Sequence, residues 1–310
     1  MHDLHHSNPH GSLEAPRTTG ISSAQVGIFA VASGLAVANI YYSQPLIGLI
    51  APALGLHPGL AGLIVTLIQL GYGVGLLLVV PLSDVRENRG LVLFALGAVV
   101  LGLLGIALSD SPLTFMVASF VVGVFSVATQ ILVPFASHLA PETSRGKVVG
   151  TVMAGVLGGI MLARPFSSYI AATVGWRAVF YISAGMMLAL LMLLRRILPQ
   201  RQPNSTLSYP QILRSLPGLV AGTPVLRRRA FYQGMMFAGF NLFWTGSPLL
   251  LTHEFGLDHR GIALFALAGA AGALSAPVAG RLADRGFTRA ATGWALLAAV
   301  LSFGDRKSVV

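Results

Sequence analysis

Residues 61–84 read AGLIVTLIQLGYGVGLLLVVPLSD, and residues 261–284 read GIALFALAGAAGALSAPVAGRLAD. Each is an apolar run long enough to cross a bilayer as a helix, which takes roughly 20 residues. Each ends on an aspartate at the start of a loop, Asp84 and Asp284, and each follows a short Gly-rich loop, GLHPG (55–59) and GLDHRG (256–261). Further upstream YYSQPLI (41–47) matches WTGSPLL (244–250), pairing Tyr41 with Trp244 and Pro45 with Pro248. The chain therefore repeats itself. If the seventh span repeats the first and the eighth the second, the unit is six spans. An even number makes both copies run in the same direction. Parallel six-helix halves related by an axis along the membrane normal are a transporter architecture.

Composition supports a membrane setting. Hydrophobic residues make up 55% of the 310 and charged residues only 10%, against about 25% charged in soluble domains; mean hydropathy is +0.76. The 36 glycines would weaken soluble helices but allow close approach of helices in lipid, and no cysteine is present. Spans are expected at 24–50, 61–82, 90–109, 112–136, 147–172, 176–194, 229–252 and 261–280, with part of a ninth at 290–303. Pro45 predicts a kink or tilt in the long first span. No cleavable signal peptide is visible ahead of it.

Charge fixes the expected orientation. Alternating from the N-terminus, one side collects Arg17, Arg86, Arg89, Arg145, Lys147, Arg195, Arg196, Arg201, Arg214, Arg227, Arg228, Arg229, Arg281, Arg285 and Arg289, while the other holds Arg177 and Arg260. That asymmetry places the N-terminus in the cytoplasm. It also explains the net charge of +10 as a topology signal, so a nucleic-acid partner is not expected. All ten acids, from Asp3 to Asp305, fall in loops or tails, so no obvious intramembrane carboxylate is available to carry a proton. The arginine-rich cation usage hints at a GC-rich bacterial genome, and the inner membrane is the expected location.

Five segments follow: a cytoplasmic tail (1–21), a six-helix bundle (22–195), a basic, Pro-rich cytoplasmic linker (196–228), a partial second bundle (229–304) and a tail (305–310). The linker is expected to hold an amphipathic helix beginning near Ser208 or Pro210. The His-rich start, HDLHHSNPH (2–10), has irregular spacing and is not read as a metal site.

GRLADRGFTR (280–289) resembles the loop signature of the major facilitator superfamily, with Gly280, Asp284, Arg285 and Arg289 at the matching positions. The first-half copy, VPLSDVRENRG (80–90), keeps Asp84 and Arg89 but has Val80 for the glycine and Val85 for the first arginine, with Arg86 the available substitute. Residues 132–180 and ANIYYSQPL (38–46) are similar to the proton-linked efflux branch, which contains drug, sugar and purine-nucleoside exporters. The resemblance implies an all-α membrane protein of two pseudo-symmetric six-helix bundles, here with eight full spans and part of a ninth. It also implies an inner-gate clasp in which Asp84 and Asp284 cap neighbouring helices and pair with arginines. Asp284 is expected near Arg145 and Lys147. Where the branch has a Gly-Pro motif in helix five, this chain has Arg164-Pro165.

Polar and aromatic side chains inside spans usually face a cavity. Asn39, Tyr41, Tyr42 and Gln44 in the first span, Gln69 and Tyr72 in the second, Gln130 in the fourth, and Tyr232, Gln233, Asn241 and Trp244 in the seventh are the candidates. They suit a polar, ring-bearing solute such as a nucleoside, and a sugar nearly as well; helix–helix hydrogen bonding is the competing use. Arg164 is the one charge well inside a span. It needs an anionic group, helix carbonyls, or a route to the outer headgroups. His138, at the end of span four, could titrate near neutrality. No Gly-rich phosphate loop with its lysine and no nucleophile–base set is readable, so neither an enzyme nor a cofactor is expected.

The expected function is a monomeric secondary transporter working by alternating access, a proton-coupled antiporter exporting a small solute. An uptake or uniport facilitator, and a receptor or scaffold that binds without transport, stay open. The tail DRKSVV (305–310) is what GAT-CGG-AAG-AGC-GTC-GTG encodes, a string resembling a common short-read sequencing adapter. Asp305–Val310 is accordingly expected to be non-native and the ninth span interrupted. Genomic DNA read past codon 304 should continue the frame into three more spans; a native stop after Val310 would contradict this.

Overall fold

The computed structural model describes residues 21–203, 206–270 and 287–304. The N-terminal tail, residues 271–286 with Gly280, Asp284 and Arg285, and residues 305–310 lie outside the described part, so the readings made on them stay expectations. The described regular structure is helical throughout, apart from turns. Helices are numbered α1 (Ser23–Ala38), α2 (Ile47–Ala53), α3 (Leu63–Leu78), α4 (Asn88–Ala107), α5 (Pro112–Phe125), α6 (Ala128–Leu139), α7 (Arg145–Val174), α8 (Trp176–Ile197), α9 (Tyr209–Gly222), α10 (Pro224–His253), α11 (His259–Ala270) and α12 (Thr288–Gly304).

Among the described residues, five helical runs are long and apolar enough to cross a membrane by length and composition: 58–84, 88–107, 112–139, 142–174 and 176–197. Large apolar side chains stand exposed along them, among them Leu101, Phe94, Leu113 and Leu162. In water such a surface would drive aggregation; in lipid it is the solvated face.

The first span is broken. Helix α1 ends at Ala38, residues 39–43 form turns, and a short 3-10 segment, Gln44–Leu46, leads into α2. Sequence reasoning expected the kink at Pro45; the break starts six residues earlier, at Asn39. Its Nδ2 donates to the carbonyls of Leu35 and Ala36, the side-chain competition that loosens a helix end. Pro45 then sits in the first turn of the 3-10 segment, where its missing N–H costs nothing.

Two glycine-built crossings hold the amino-terminal bundle together. Helix α1 lies along α7, and α3 along α5. A Cβ on Gly34 would stand 2.5 Å from the Gly155 carbonyl oxygen, and one on Gly159 would collide with the Gly34 carbonyl. Gly71 and Gly75 of α3 meet the Phe120 and Val124 carbonyls of α5 just as closely. Backbones that approach this far gain dispersion contacts, the main attraction available between helices in lipid. Between α7 and α8 the chain reverses at Gly175, whose φ of 100° favours glycine. Just beyond, Trp176, Phe115 and Phe180 pack edge to face.

Helix α9 begins at Tyr209 behind a Ser208–Gln211 capping box. It rests on the end of the second span, where Tyr209 Oη donates to the Leu78 carbonyl at 2.8 Å. Helix α11 lies along α7. Residues 224–238 of α10 are exposed, and its packing on the first bundle begins near Phe240 and extends to Leu249.

The glycine crossings predict a sharp positional contrast. Gly159→Leu should lower the detergent melting temperature, at a cost of about 1–3 kcal/mol for the overpacked crossing. Gly158→Ala, where nothing lies within 4 Å of a Cβ, should leave it unchanged or raise it. Melts of the two variants check this.

Candidate functional site

Span one contributes to a polar site because its helix breaks where Tyr41 and Gln44 fall. Arg164 arrives from α7 and Gln69 from α3, while Phe240, Asn241 and Trp244 come from α10. These residues meet. Arg164 is 2% exposed. Its Nε donates to Gln44 Oε1 at 2.9 Å, and its Nη1 donates to the Ile160 carbonyl at 3.1 Å. Pro165 follows it inside α7 and has no N–H for the carbonyl one turn back, so the backbone is loosened at this turn. Three rings surround the guanidinium, with centroids 4.8 Å (Tyr41), 4.9 Å (Phe240) and 4.5 Å (Trp244) from its carbon. Tyr41 and Trp244 are repeat-paired positions, so the internal repeat closes on one arginine from both sides.

A directed chain of amides runs outward from it. Gln44 Nε2 donates to Asn241 Oδ1 at 3.0 Å, and Asn241 Nδ2 donates to the Phe237 carbonyl at 2.9 Å. Gln69 Nε2 donates to the same Asn241 Oδ1 at 3.2 Å. A guanidinium only donates, so it dictates which end of Gln44 faces it, and Gln44 in turn sets Asn241. Two buried atoms are left over: Arg164 Nη2 and Gln69 Oε1 have no partner. Among the described residues the ion pairs are Arg145–Glu142 and Arg177–Asp110, both at exposed loop ends. Neither involves Arg164.

The other candidates separate into groups. Tyr72 and Gln130 pair with each other, Gln130 Nε2 donating to Tyr72 Oη at 2.9 Å. Gln130 is exposed and Tyr72 half-buried. Asn39 is spent elsewhere: its Oδ1 accepts from Ser183 Oγ at 2.6 Å and its Nδ2 reaches Met187 Sδ at 3.3 Å, tying α1 to α8. Tyr42 is buried against the Phe166 ring of α7. Tyr232 and Gln233 are exposed on the first half of α10. His138 is exposed at the end of α6.

At the loop after α3, Asp84 and Arg86 are exposed, and neither forms an ion pair among the described residues. The acid that is engaged is Glu87, which sequence reasoning passed over. Its carboxylate accepts from the backbone N–H of Arg89 at 2.7 Å and Gly90 at 2.6 Å, capping α4, and from the Arg201 N–H at 3.3 Å. The Asn88 N–H donates to the Arg201 carbonyl at 3.0 Å, and the Arg89 guanidinium donates to the Arg195 carbonyl. Together they fasten the start of the linker to this loop. The available signal was an acid immediately before a helix start, a position where a side-chain oxygen caps orphan N–H groups. Phe240 was also missed; one aromatic within an apolar run carries no mark.

Residues 28–304 match the family model described as Major Facilitator Superfamily. An Escherichia coli O157:H7 protein described as "Uncharacterized transporter YgaY" is 42% identical over 284 residues, covering 91% of this chain and 72% of that protein. "Probable transporter SCO4007" of Streptomyces coelicolor is 33% identical over 297 residues, 90% of this chain and 69% of that one. Among solved structures, one titled "Crystal structure of D-xylose-proton symporter" superposes with a TM-score of 0.63 at 17% identity, over 84% of this chain and 68% of that one. That likeness concerns the fold.

The hydrogen-bond assignments separate stability from the site. Asn39→Ala should lower the detergent melting temperature, costing about 1 kcal/mol for the buried bond to Ser183 that is lost. Gln69→Ala should change it little, because Asn241 Oδ1 keeps Gln44 as donor and a buried orphan oxygen is removed. Paired thermal melts give the comparison.

Proposed function

The chain belongs to the Major Facilitator Superfamily, a family of membrane transporters rather than enzymes, and from that premise we propose that it is a secondary transporter moving one small polar solute by alternating access. The observation that supports this most is the composition of the site. Gln44 and Gln69, on the first half of the chain, share one acceptor, Asn241, on α10 of the second. A binding site divided between two rocking halves changes when either half moves. The contacts of α10 with the first bundle run through the site itself, from Phe240 to Leu249, while its first half is exposed.

On this reading the solute binds among Tyr41, Gln44, Gln69, Arg164, Asn241 and Trp244, with Tyr72 and Gln130 on the approach. Asp84, Arg86, Arg89, Gly280, Asp284, Arg285 and Arg289 form the inner clasp. The protein works as a monomer in the bacterial inner membrane, exporting solute in exchange for protons, as the similarity to the efflux branch implies. A second reading, uniport or uptake, is favoured by one feature: among the described residues no Asp or Glu reaches the site. A proton would then have to travel elsewhere or not at all.

Vesicles test both readings. The intact gene product, reconstituted and given a panel of radiolabelled sugars, nucleosides and organic acids, should move at least one saturably. Asn241→Ala should slow that movement about tenfold or more, the equivalent of about 1.4 kcal/mol. Dependence on an imposed pH gradient supports antiport; saturable movement indifferent to it supports uniport. Binding without movement would replace transport with a receptor role.

A further inference from the structure

Among the described residues no acidic side chain pairs with the charge of Arg164. The arginine is 2% exposed. Rings and two neutral oxygens surround it, and Nη2 has no partner. A buried cation normally sits opposite an anion, because desolvating it alone is costly. Cation–π contacts offset only part of that cost. Ser168, one turn along α7 on the same face as Arg164, and Ser43, immediately before Gln44, each bury an unpartnered hydroxyl. A hydroxyl donates as well as accepts, so each of these can serve an anion's oxygen, as the free guanidinium N–H can. Gln69 Oε1, an acceptor, is a further buried atom without a partner.

We propose that the transported solute is a small organic anion, a ring-bearing carboxylate, whose acidic group pairs with Arg164 Nη2 while its ring lies among Tyr41, Phe240 and Trp244. The inference rests on the transporter reading above and names its substrate class. A carboxylate accepts on two oxygens and matches the planar edge of a guanidinium. Neutral sugars and nucleosides would leave the charge unbalanced. The placement also gives the anion a mechanical role. Phe240 and Trp244 cover the guanidinium from α10, so the site is closed over an uncompensated charge. An anion that neutralises Arg164 stabilises this closed arrangement more than the open one, in which water solvates the charge. Ligand binding then shifts the population toward closure by that difference.

The test uses matched acids and amides: benzoate with benzamide, nicotinate with nicotinamide, and orotate with uracil as a neutral ring. Binding to the intact, purified protein is read from tryptophan fluorescence, since Trp244 stands beside the guanidinium, and from the ligand-induced shift in melting temperature. We expect at least one acid to bind and its neutral partner to bind at least tenfold more weakly. Arg164→Gln should abolish that preference, and Arg164→Lys should retain a preference for acids with weaker binding. If the glutamine variant fails to fold, the acid–amide ratio on the native protein and the lysine variant decides. Equal binding of acids and neutral partners overturns the proposal, as does an acid preference that survives Arg164→Gln, or silence of all three acids. The same six probes in the vesicle assay separate this from the transporter reading. Movement of the neutral solutes alone would sink the anion assignment and leave transport standing; acids that bind without moving would do the reverse.

Discussion

A guanidinium has five N–H donors and no acceptor, and the polar interior of this protein is oriented by that asymmetry. Arg164 fixes the carbonyl end of Gln44. Gln44 then presents its amide nitrogen to Asn241, whose own nitrogen is directed at the Phe237 carbonyl. An amide chain with no charged end could run either way at similar cost. Here the cation on α7 sets the direction, and its effect reaches α10 through one intervening residue. The break in the first span is part of the same arrangement. An unbroken helix through 39–43 would carry Tyr41 and Gln44 on a different phase.

That break has to be held by something else, since residues 39–43 lack the regular helical ladder. The holding comes from the neighbours. Gly34, Gly155 and Gly159 bring α1 against α7 at backbone contact. Thr129 of α6 donates to the Ser33 carbonyl at 2.9 Å, and Asn39 fastens the end of α1 to α8. In lipid, where apolar burial gives helices little reason to prefer one another over acyl chains, close approach and interhelical hydrogen bonds carry association. Both are concentrated at the end of α1 that leads into the break.

Part of the span pattern was readable because bilayer thickness sets a minimum length for a crossing helix, and the runs at 88–107, 112–139 and 176–197 fall on expected spans. Arg164 was readable for a related reason: a lone charge in an apolar run has no cheap explanation. What composition could not give was phase. Asn39, Tyr41, Tyr42 and Gln44 look like one polar cluster in sequence. The turns at 39–43 send Asn39 to α8 and Tyr42 to Phe166, and keep Tyr41 and Gln44 for Arg164. The loop after α3 shows a different limit. The repeat drew attention to Asp84, yet Glu87 makes the backbone bonds, because capping depends on standing next to a helix start. Gln44 and Gln69 were recognisable as polar residues in spans, but their common acceptor, Asn241 Oδ1, depends on how distant helices meet.

The attachment of α10 connects this geometry to motion. Helices joined by broad apolar packing separate only at the cost of that packing, whatever a ligand does. Much of the seam between α10 and the first bundle is instead made of the atoms a solute would touch: Asn241 on Gln44 and Gln69, and Phe240 and Trp244 over Arg164. A solute entering there must replace or join those contacts, so occupancy and closure draw on the same few bonds. A ligand shifts a conformational equilibrium only by the difference in its affinity for the two states, and that difference is largest when the moving element itself supplies ligand contacts. Helix α10 is in that position. On the opposite side of the site, α7 is held to α1 by glycine packing in which neither the three rings nor the amide chain takes part. One wall can therefore respond to cargo while the other keeps Arg164 in place.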